Sequence, residues 1–545
     1  MRESSLTESR QNDDGSLMTP DAVSTTLTYI DCDMNANSPP MKPIGPLRYL
    51  TWLPRLVRCP RATPAAQHIA AKLAASLAFA LVGCATPVLQ PSVDVPGRFA
   101  GAPASVEEPE TAWWDGYGDP ILSDLVRRAA RENRDVKIAL ERVRAARAGE
   151  TVSRSWLYPS VGVQGAGFDH RTGYDSSTKQ VVSEAADTKG WQGGLAISWE
   201  IDIAGRLRAG AAAAAADTRA SEDVARGVRL LVVSDVAANY FTLVGALRQL
   251  DTVRAISAAQ DETLRLVTAR ERAGLATPFD VERAQTEASK ARAAIPPLET
   301  AAAVSRHRIA VLIGDQAFNA ASIATSHADI TVPVARPGQP ADLLRRRPDL
   351  LAAQAQLDAA NARRQQAMAE WFPRLLLGAV FGGEGLSVNG MALGAARFTN
   401  VAALLAMPIF NAGRTQAIND IAESGQKEAV LRYEEAIVRA LEDVENTLVA
   451  LDQERQRAPL MQSAARSAEA ALGRAQSLYG RGQIDLLPLL DAQRARLSVR
   501  VGANDANTQL LLDSVQLYKA LGGGWEMFEP STTPTAAQSK QTPNS

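Results

Sequence analysis

Gly205-Arg206 opens a stretch that the chain uses twice, and this stretch decides the fold. Gly205-Arg206 returns as Gly413-Arg414, 208 positions later, and the stretch closes at Gly314, which returns as Gly522 at the same spacing. The spacing also relates three inner pairs: Asp235-Val236 to Asp443-Val444, Gly274 to Gly482, and Ala284-Gln285 to Ala492-Gln493. A segment of about 110 residues that repeats without insertion or deletion is one structural unit present twice.

The repeat extends upstream at a different spacing. Asp135 matches Asp349 and Pro159 matches Pro373, both 214 positions apart, so about six residues differ in the interval that follows each proline. Helices packed in register have to keep their lengths, whereas a surface hairpin does not. We therefore predict two copies of helix, variable hairpin, long helix and return helix, at 119–335 with a β-hairpin at 160–204, and at 341–525 with a β-hairpin at 373–411.

Composition excludes several classes of protein. The net charge of −2 favours neither nucleic acid nor an acidic partner. Aromatic residues make up only 5% of the 545 residues, and alanine is abundant, which suits thin, close-packed helices. The three cysteines, Cys32, Cys59 and Cys84, all lie in the first sixth of the chain, so we expect no disulfide framework.

The N-terminal part has the organisation of a secretory signal. Residues 1–54 form a polar leader, and translation is expected to start later than Met1, at Met41 or near Val57. Residues 55–83 join basic side chains to a short apolar run, Leu73 to Val82, that is too short to span a bilayer. Leu81-Val82-Gly83-Cys84 looks like a bacterial lipobox, which predicts a covalent lipid on Cys84. The alternative is an ordinary signal with a cysteine there by chance.

Residues 84–118 are rich in Pro and Gly and are expected to form an extended tether. Asp119 can cap the helix that follows and Pro120 suits its first turn, and apolar spacing continues this helix to about Ser155. At the other end of the chain, residues 526–545 are expected to be a disordered tail.

In the interval of variable length between Pro159 and Gly205, apolar residues recur at every second position. From Trp191 to Ile203 the odd positions are mostly apolar and the even positions mostly polar, which indicates a strand with two different faces. Its partner strand begins near Ser160. In the second copy, residues 374–382 and 398–410 are predicted to be strands, and Gly382-Gly383-Glu384-Gly385 is interpreted as a hairpin turn and not a phosphate cradle. The chain then has four strands.

Four strands cannot stand alone in a membrane. The apolar face from Trp191 to Ile203 is about as long as a tilted membrane strand. An open sheet in lipid would leave its edge N–H and C=O groups unpaired, so closure needs several chains. Small barrels begin near eight strands, which two chains would supply, and three chains would supply twelve. The alternative is a four-stranded sheet on a soluble domain.

The helices after each hairpin set the length of the molecule. No proline occurs from Gly205 to about Ala273, and a helix of about 65 residues is roughly 100 Å long. The helices from Pro120 to Ser155 and from Phe279 to Gly314 each cover about half of that length. Two short helices laid end to end therefore match one long helix in each copy. The Pro296-Pro297 pair predicts a break in the return helix of the first copy alone.

The chain resembles the TolC-type outer-membrane efflux proteins, and within them the OprM-like and NodT-like lipoprotein branch. The residues that carry the resemblance are Trp113-Trp114 with Asp119-Pro120, Trp199 to Arg206, Pro408 to Arg414, and Tyr518 to Trp525. The resemblance implies a mainly α protein with membrane β structure, a homotrimer whose twelve strands form a β-barrel in outer-membrane lipid and whose helices form a periplasmic tunnel. It also implies a periplasmic adaptor protein and an inner-membrane pump of the resistance-nodulation-division type as partners.

The resemblance assigns roles to the ends of the long helices. The turns at Gly274, Leu275, Gly482 and Gln483 are candidate contacts for the adaptor, and each turn would need a glycine in any case. Tyr479, Leu487, Asp491 and Asp280 match positions of the periplasmic constriction, although for Asp280 a helix cap is the stronger interpretation. The chain departs from TolC at Ile484, where TolC has a gating arginine, and at Pro488, where it has an acid.

No catalytic or metal site is predicted. The histidines, His68, His170, His307 and His327, lack metal-ligand spacing, so we expect no enzyme activity and no cofactor beyond the lipid on Cys84. Two alternatives to a small-molecule efflux duct remain at this point. One is the exit duct of a type I protein-secretion system, and the other is a periplasmic coiled-coil protein with no pore.

Overall fold

The computed structural model describes residues 89, 91–101, 110–171, 187–315, 330–334 and 336–529. Its helices are α1 Pro120–Glu132, α2 Arg134–Ser155, α3 Arg206–Arg272, α4 Pro278–Ala293, α5 Ile295–Leu312, α6 Leu343–Arg346, α7 Pro348–Met368, α8 Arg414–Gly480 and α9 Leu486–Ala520. Its strands are β1 Ser160–His170, β2 Thr188–Ile201, β3 Arg374–Val388 and β4 Met391–Ala406. Short 3-10 helices occupy Trp113–Tyr117, Pro340–Asp342, Ala369–Trp371 and Glu526–Phe528.

The two long helices have the same length. α3 and α8 are each 67 residues, or about 100 Å at 1.5 Å per residue. α2, α4 and α5 pack along α3, and α7 and α9 pack along α8. The predicted order of helix, hairpin, long helix and return helix is thus present in both copies. α3 is apolar enough to pass for a membrane span, but 56% of its most apolar stretch is buried inside the protein.

The helix expected from Pro120 to Ser155 is two helices, which corrects the prediction. Asn133 separates them, and its side-chain oxygen accepts hydrogen bonds from the N–H groups of Asp135 and Val136 at 2.8 and 3.2 Å. Its Nδ2 donates to the carbonyl oxygen of Leu312 at 2.9 Å. The break therefore forms because one asparagine caps α2 and also fastens the end of α5.

The return helix of the first copy is broken where the two prolines predict it. α4 ends at Ala293 and α5 starts at Ile295, with Pro296 and Pro297 in its first turn. The second copy has one continuous helix of 35 residues, α9. Proline lacks the N–H that would continue the hydrogen-bond ladder, and α9 has Asn504 and Asp505 at the equivalent positions, so only the first return helix breaks there.

The four strands form one antiparallel sheet in the order β1-β2-β3-β4. Gly382-Gly383-Glu384-Gly385 lies inside β3, so the interpretation as a turn was wrong. The turn is Asn389-Gly390, with φ of 50° and 81°, as a two-residue hairpin with positive φ at both positions requires. The glycines instead make room for a neighbouring strand: a Cβ on Gly385 would lie 2.5 Å from Trp191 Nε1.

The segment expected to be a free tether is partly docked. The N–H of Ser92 donates to Glu434 at 2.8 Å, and the N–H groups of Ala100 and Gly101 donate to Glu445 at 2.7 and 3.1 Å. Both glutamates belong to α8. Nearby, Phe99 is 2% exposed and lies in the core. Carboxylates on the second copy and a buried ring thus hold residues 91–101 against the helical body.

The C-terminal tail begins later than position 526. Glu526–Phe528 forms a 3-10 turn, and Phe528 stacks on Trp114 with ring centroids 5.6 Å apart. Arg226 on α3 donates to Glu529 at 2.7 Å. The structure thus extends to Glu529, and the rest of the predicted tail lies outside the described residues.

Among the described residues, the two largest core clusters lie at different points along the body. The larger cluster is at mid-length, where Trp113 stacks on Tyr518 at 5.2 Å and Tyr240 and Phe241 are fully buried. A smaller cluster lies at the ends of α3 and α8 that are remote from the sheet; its members include Val267, Leu472, Tyr479, Leu486 and Leu490. The second cluster holds the helical tips together.

Candidate functional site: the open sheet and the helical tips

The sheet has one apolar and one mixed face. On one face lie Leu195 of β2 and its neighbours Val163 and Phe381, with tryptophan at Trp191 and Trp199. The two tryptophans are eight residues apart on one strand, or about 26 Å, which is close to the height of the apolar band of a membrane barrel. The opposite face carries most of the polar side chains, among them Gln164, Gln192, Ser198, Glu200, Glu384 and Asn400.

The sheet ends in two open edges. Within the described residues, β1 pairs only with β2, and β4 pairs only with β3. Just beyond β4, Ile409 and Phe410 are 97% and 89% exposed. Unpaired backbone groups and apolar side chains at an edge are the features of a strand that can pair with a strand of another chain. The protomer is therefore an incomplete barrel wall.

A rigid joint connects the sheet to α3. Arg206 donates to both oxygens of Glu200 at 2.7 and 2.8 Å. Asp202 accepts hydrogen bonds from the N–H groups of Leu207 and Arg208 at 3.2 and 2.9 Å, and so caps the helix in place of Gly205. Gly205 has φ of 81°, which turns the chain from strand into helix. The segment from Trp199 to Arg206 is thus a strand-to-helix joint with an internal ion pair between Glu200 and Arg206.

The tip of the first copy is capped on both sides of its turn. The N–H of Leu275 donates to the Arg270 carbonyl oxygen and that of Gly274 to the Glu271 carbonyl oxygen, each at 2.8 Å, which is a Schellman motif. Thr277 and Asp280 then form a capping box, in which Asp280 accepts from the Thr277 N–H at 3.0 Å. These hydrogen bonds from Thr277 hold the pKa of the Asp280 carboxyl below its usual value.

The tip of the second copy lacks the second cap. Gln483 and Gly482 donate to the carbonyl oxygens of Leu478 and Tyr479 at 2.9 and 3.0 Å, so the Schellman motif is repeated. However, the side chain of Asp485 makes no capping hydrogen bond at the start of α9. Pro488 takes the position that Asp280 has in the first copy, 208 positions earlier. Gly274, Leu275, Gly482 and Gln483 are all exposed at the two turns.

The four predicted constriction residues do not share one environment. Tyr479 is 5% exposed, and Arg270 lies over its ring within the protomer. Asp280 is engaged in its capping box. Leu487 is 41% exposed, and Asp491, one helical turn further on α9, keeps 60% of its side chain exposed beside Arg494 at 3.2 Å. Of the four, Leu487 and Asp491 are thus the two whose side chains are substantially exposed within the protomer.

Sequence reasoning missed the ion pair that ties the return helices together. Arg494 of α9 donates to Glu287 of α4 at 2.9 Å, and the Glu287 side chain is only 10% exposed. The hydrogen bond from Arg494 lowers the pKa of Glu287. The two residues are 207 positions apart, so no local pattern pairs them. The sequence signal that could have indicated this ion pair is a charged residue, Glu287, among the buried positions of α4.

Cys84, the predicted lipid anchor, lies outside the described residues, as do His68 and His327. Within the ranges that the structure describes, no group of three His, Cys, Asp or Glu side chains is placed to hold a metal ion.

An open sheet with a lipid-type face, joined to a helical body of about 100 Å, defines the protomer of an outer-membrane channel with a helical tunnel. The sequence profile of the outer membrane efflux protein family matches residues 125–315 and 340–523. The chain belongs to that family and is an outer-membrane efflux protein.

Named relatives agree with the family. The chain is 31% identical to the outer membrane protein OprJ of Pseudomonas aeruginosa over 442 residues, which cover 80% of this chain and 92% of OprJ. It is 28% identical to the probable outer membrane lipoprotein SilC of Salmonella typhimurium, over 83% of this chain and 98% of SilC. The solved outer-membrane channel OprN matches with a TM-score of 0.73 and 26% identity, over 81% of this chain and 99% of OprN.

Proposed function

We propose that this chain is the outer-membrane exit duct of a tripartite efflux pump of the resistance-nodulation-division type, a passive channel for drugs or other small molecules. Three copies would supply the twelve strands of one barrel and the helices of one periplasmic tunnel. The inner-membrane pump and a periplasmic adaptor protein would be its partners. The duct would provide passage and no chemistry.

The open four-stranded sheet is the observation that carries this proposal. Its edges would leave backbone groups unpaired in lipid, where each unsatisfied group costs several kcal/mol. Closure by copies of the same chain removes that cost and leaves a hollow barrel. The helical body of about 100 Å then extends the passage away from the membrane.

The lipobox supports attachment of the mature chain to the membrane through an acylated Cys84. The name of SilC, an outer membrane lipoprotein, fits this proposal. In the mature chain no other cysteine would remain, because Cys32 and Cys59 precede the cleavage site.

The two tips support contact with the adaptor. Leu275 is 70% exposed and Phe279 61% exposed, so the first tip offers apolar side chains at a turn that its caps hold rigid. Gly482 and Gln483 are exposed at the second tip. Between the tips and the tunnel axis, Leu487 and Asp491 would narrow the passage, and three copies of Asp491 would form a ring of negative charge.

The test is a deletion of this gene scored for drug susceptibility, compared with deletion of the pump and with deletion of both. An exit duct predicts equal sensitivity in all three strains, because each deletion interrupts one pathway. A double-deletion strain that is more drug-sensitive than either single-deletion strain would contradict a shared pathway. Loss of a secreted protein with unchanged drug susceptibility would indicate a protein-secretion duct instead.

A further inference from the structure

Arg397 is a charged residue on the apolar face of the sheet. It lies opposite Gly383 on β3, and Gly383 lies opposite Gly193 on β2. Residues directly opposite each other share a face, as do residues two apart along a strand, so Arg397 is on the face of Trp191 and Leu195. A charge on the lipid side of a barrel costs free energy, most at the middle of the bilayer and least near its surface. A charge there therefore calls for a compensating group.

Arg397 finds no such group within its own chain. The side chain is exposed, and among the residues that the structure describes none forms a hydrogen bond or ion pair with its guanidinium. By contrast, Arg206 and Arg374, at the end of the sheet next to the helices, are paired with Glu200 and Glu370. Since a guanidinium has five N–H donors and is always charged, Arg397 can bind an anion from outside the chain.

The position of Arg397 along the strands is near the extracellular end of the sheet. The helical body leaves the sheet beside Trp199, so the end with Trp191 is the one remote from the periplasm. Gly193, in the row of Arg397, is two residues from Trp191 and six from Trp199, or about 7 Å and about 20 Å along the strand. An arginine side chain is long enough to extend from such a position to the lipid headgroups. These headgroups belong to the outer leaflet.

Trp191 supplies a second donor beside Arg397. Its ring covers two glycines of β3, because a Cβ on Gly383 would lie 3.7 Å from its Cη2 and a Cβ on Gly385 2.5 Å from its Nε1. Within the described ranges, its indole N–H has no acceptor. Opposite Gly385 on β4 is a small residue, Ala395. Trp191 and Ala395 both line a cavity of about 450 Å³, so space for a ligand is present next to the two donors.

Further positive charge lies at the rim of the sheet, beyond Trp191. Lys189, which also lines the cavity, donates to Asp169 at 3.1 Å, and Arg171 donates to the same carboxylate at 3.2 Å. The side chains of Lys189 and Arg171 are 58% and 73% exposed. One carboxylate shared by two cations leaves a net positive charge in this group of three. The rim therefore attracts anions toward Arg397.

We propose that Arg397 binds the phosphate of a lipid in the outer leaflet, with the Trp191 N–H as a second donor and Lys189 at the edge of the site. The proposal rests on the proposed duct, since the sheet faces lipid only in a closed barrel. A guanidinium donates to two phosphate oxygens at once, and the acyl chains of the lipid would lie along the apolar face. Three copies of the chain would carry three such sites.

A carboxylate of a neighbouring copy is the alternative partner for Arg397. β4 is an edge of the sheet, so in a closed barrel it lies beside a strand of another copy. The other edge strand, β1, contains one acid, Asp169. That carboxylate already accepts from Lys189 and Arg171 of its own chain. A lipid phosphate is thus the partner that the charges favour.

Native mass spectrometry of the full lipoprotein trimer in detergent tests the site. The trimer is titrated with diphosphoryl lipid A, a lipid with two phosphates, and in parallel with the same lipid after its phosphates are removed. We expect up to three phosphorylated lipids per trimer. Arg397→Gln should bind them at least about ten-fold more weakly, the factor typical of a lost hydrogen bond to a charged group. Arg397→Lys should be intermediate, because lysine keeps the charge and loses the two-pronged contact.

A matched control removes the same charge elsewhere. Arg272→Gln, at an exposed position near the first tip, should bind the lipid as the unsubstituted chain does. Equal binding of the lipid without phosphate, or unchanged binding by Arg397→Gln, overturns the site. An equal affinity for inorganic phosphate also overturns it, because the site would then need no lipid.

The remaining outcomes separate the site from its alternative and from the duct. If Asp169→Asn and Arg397→Gln lower the dissociation temperature of the trimer equally and leave lipid binding intact, Arg397 pairs with a neighbouring copy and the lipid site falls. Trimers that conduct ions but show no preference for the phosphorylated lipid remove the site alone. If the unsubstituted chain forms no trimers and carries no ion current, the proposed function falls and the site falls with it.

Discussion

Arg270 lies over the ring of Tyr479, with its guanidinium carbon 4.7 Å from the ring centroid and its Nη1 donating to the Tyr479 carbonyl oxygen at 3.3 Å. The contact joins the end of α3 to the end of α8. It occurs once per protomer, because the equivalent of Arg270 in the second copy is Leu478. One cation–π contact and one hydrogen bond thus connect the two tips.

Arg270→Ala should loosen the tips. Loss of the cation–π contact and the hydrogen bond should cost about 1–2 kcal/mol of local stability, since each is worth about 1 kcal/mol at a partly exposed site. We expect a higher and noisier single-channel conductance in planar bilayers. Arg272→Ala, at an exposed position two residues away, is the control and should leave conductance unchanged. Equal effects of the two substitutions would show that net charge, and not this contact, matters.

Leu487→Ala combined with Asp491→Ala should widen the periplasmic constriction. The double variant removes exposed bulk and negative charge, and it keeps the Arg494–Glu287 pair that holds α4 and α9 together. The expected result is a higher single-channel conductance with weaker cation preference. Leu460→Ala, an exposed leucine of α8 that is 71% accessible, serves as the control. Unchanged conductance in the double variant would remove the constriction assignment.

Thr277→Ala should destabilise the first tip, because it removes the capping box. The expected cost is about 0.5–2 kcal/mol of helix stability, and amide hydrogen exchange at the start of α4 reports it. Asp485→Ala at the second tip should have little effect, because Asp485 makes no capping hydrogen bond. Comparable loss of protection at both tips would contradict the structural difference between them.

The same capping box predicts a dependence on pH. The pKa of Asp280 is depressed in the folded chain, so its contribution is present at neutral pH and is lost as the pH falls through the folded pKa. Hydrogen exchange at the first tip, corrected for intrinsic rates, should therefore lose protection in acid below the usual pKa of an aspartate. Asp280→Asn should be weakly protected at every pH. If the Asp280→Asn variant still lost protection in acid, the transition would arise from another titratable group.

Arg347→Ala should lower the stability of the second copy at mid-length. Arg347 donates to the Ala520 carbonyl oxygen at 3.0 Å and to Asp349 and Asp443 at 2.7 and 3.1 Å. A buried carbonyl left without a donor costs about 1–3 kcal/mol. The dissociation temperature of the trimer on gels should fall, with partial recovery in Arg347→Lys. Arg345→Ala, at an exposed position, should leave it unchanged.

Arg347 also shows how the two copies diverged. It is the equivalent of Asn133, and the Ala520 carbonyl that it binds is the equivalent of the Leu312 carbonyl that Asn133 binds. The same helix end is thus fastened in both copies by different side chains. Sequence periodicity predicts the helices on either side, but the joint itself depends on a carbonyl 173 residues away in the second copy.

The sequence by itself determined the duplication, the four strands, the length of the long helices and the break at Pro296-Pro297. Spacing, period and proline act locally along the chain, so they can be read without contacts. The tertiary structure alone decided that residues 91–101 dock on Glu434 and Glu445, that Tyr479 is buried under Arg270, and that Glu287 pairs with Arg494. Each of these depends on side chains about 200 to 345 positions apart, and no local pattern encodes which distant groups the packed helices bring together.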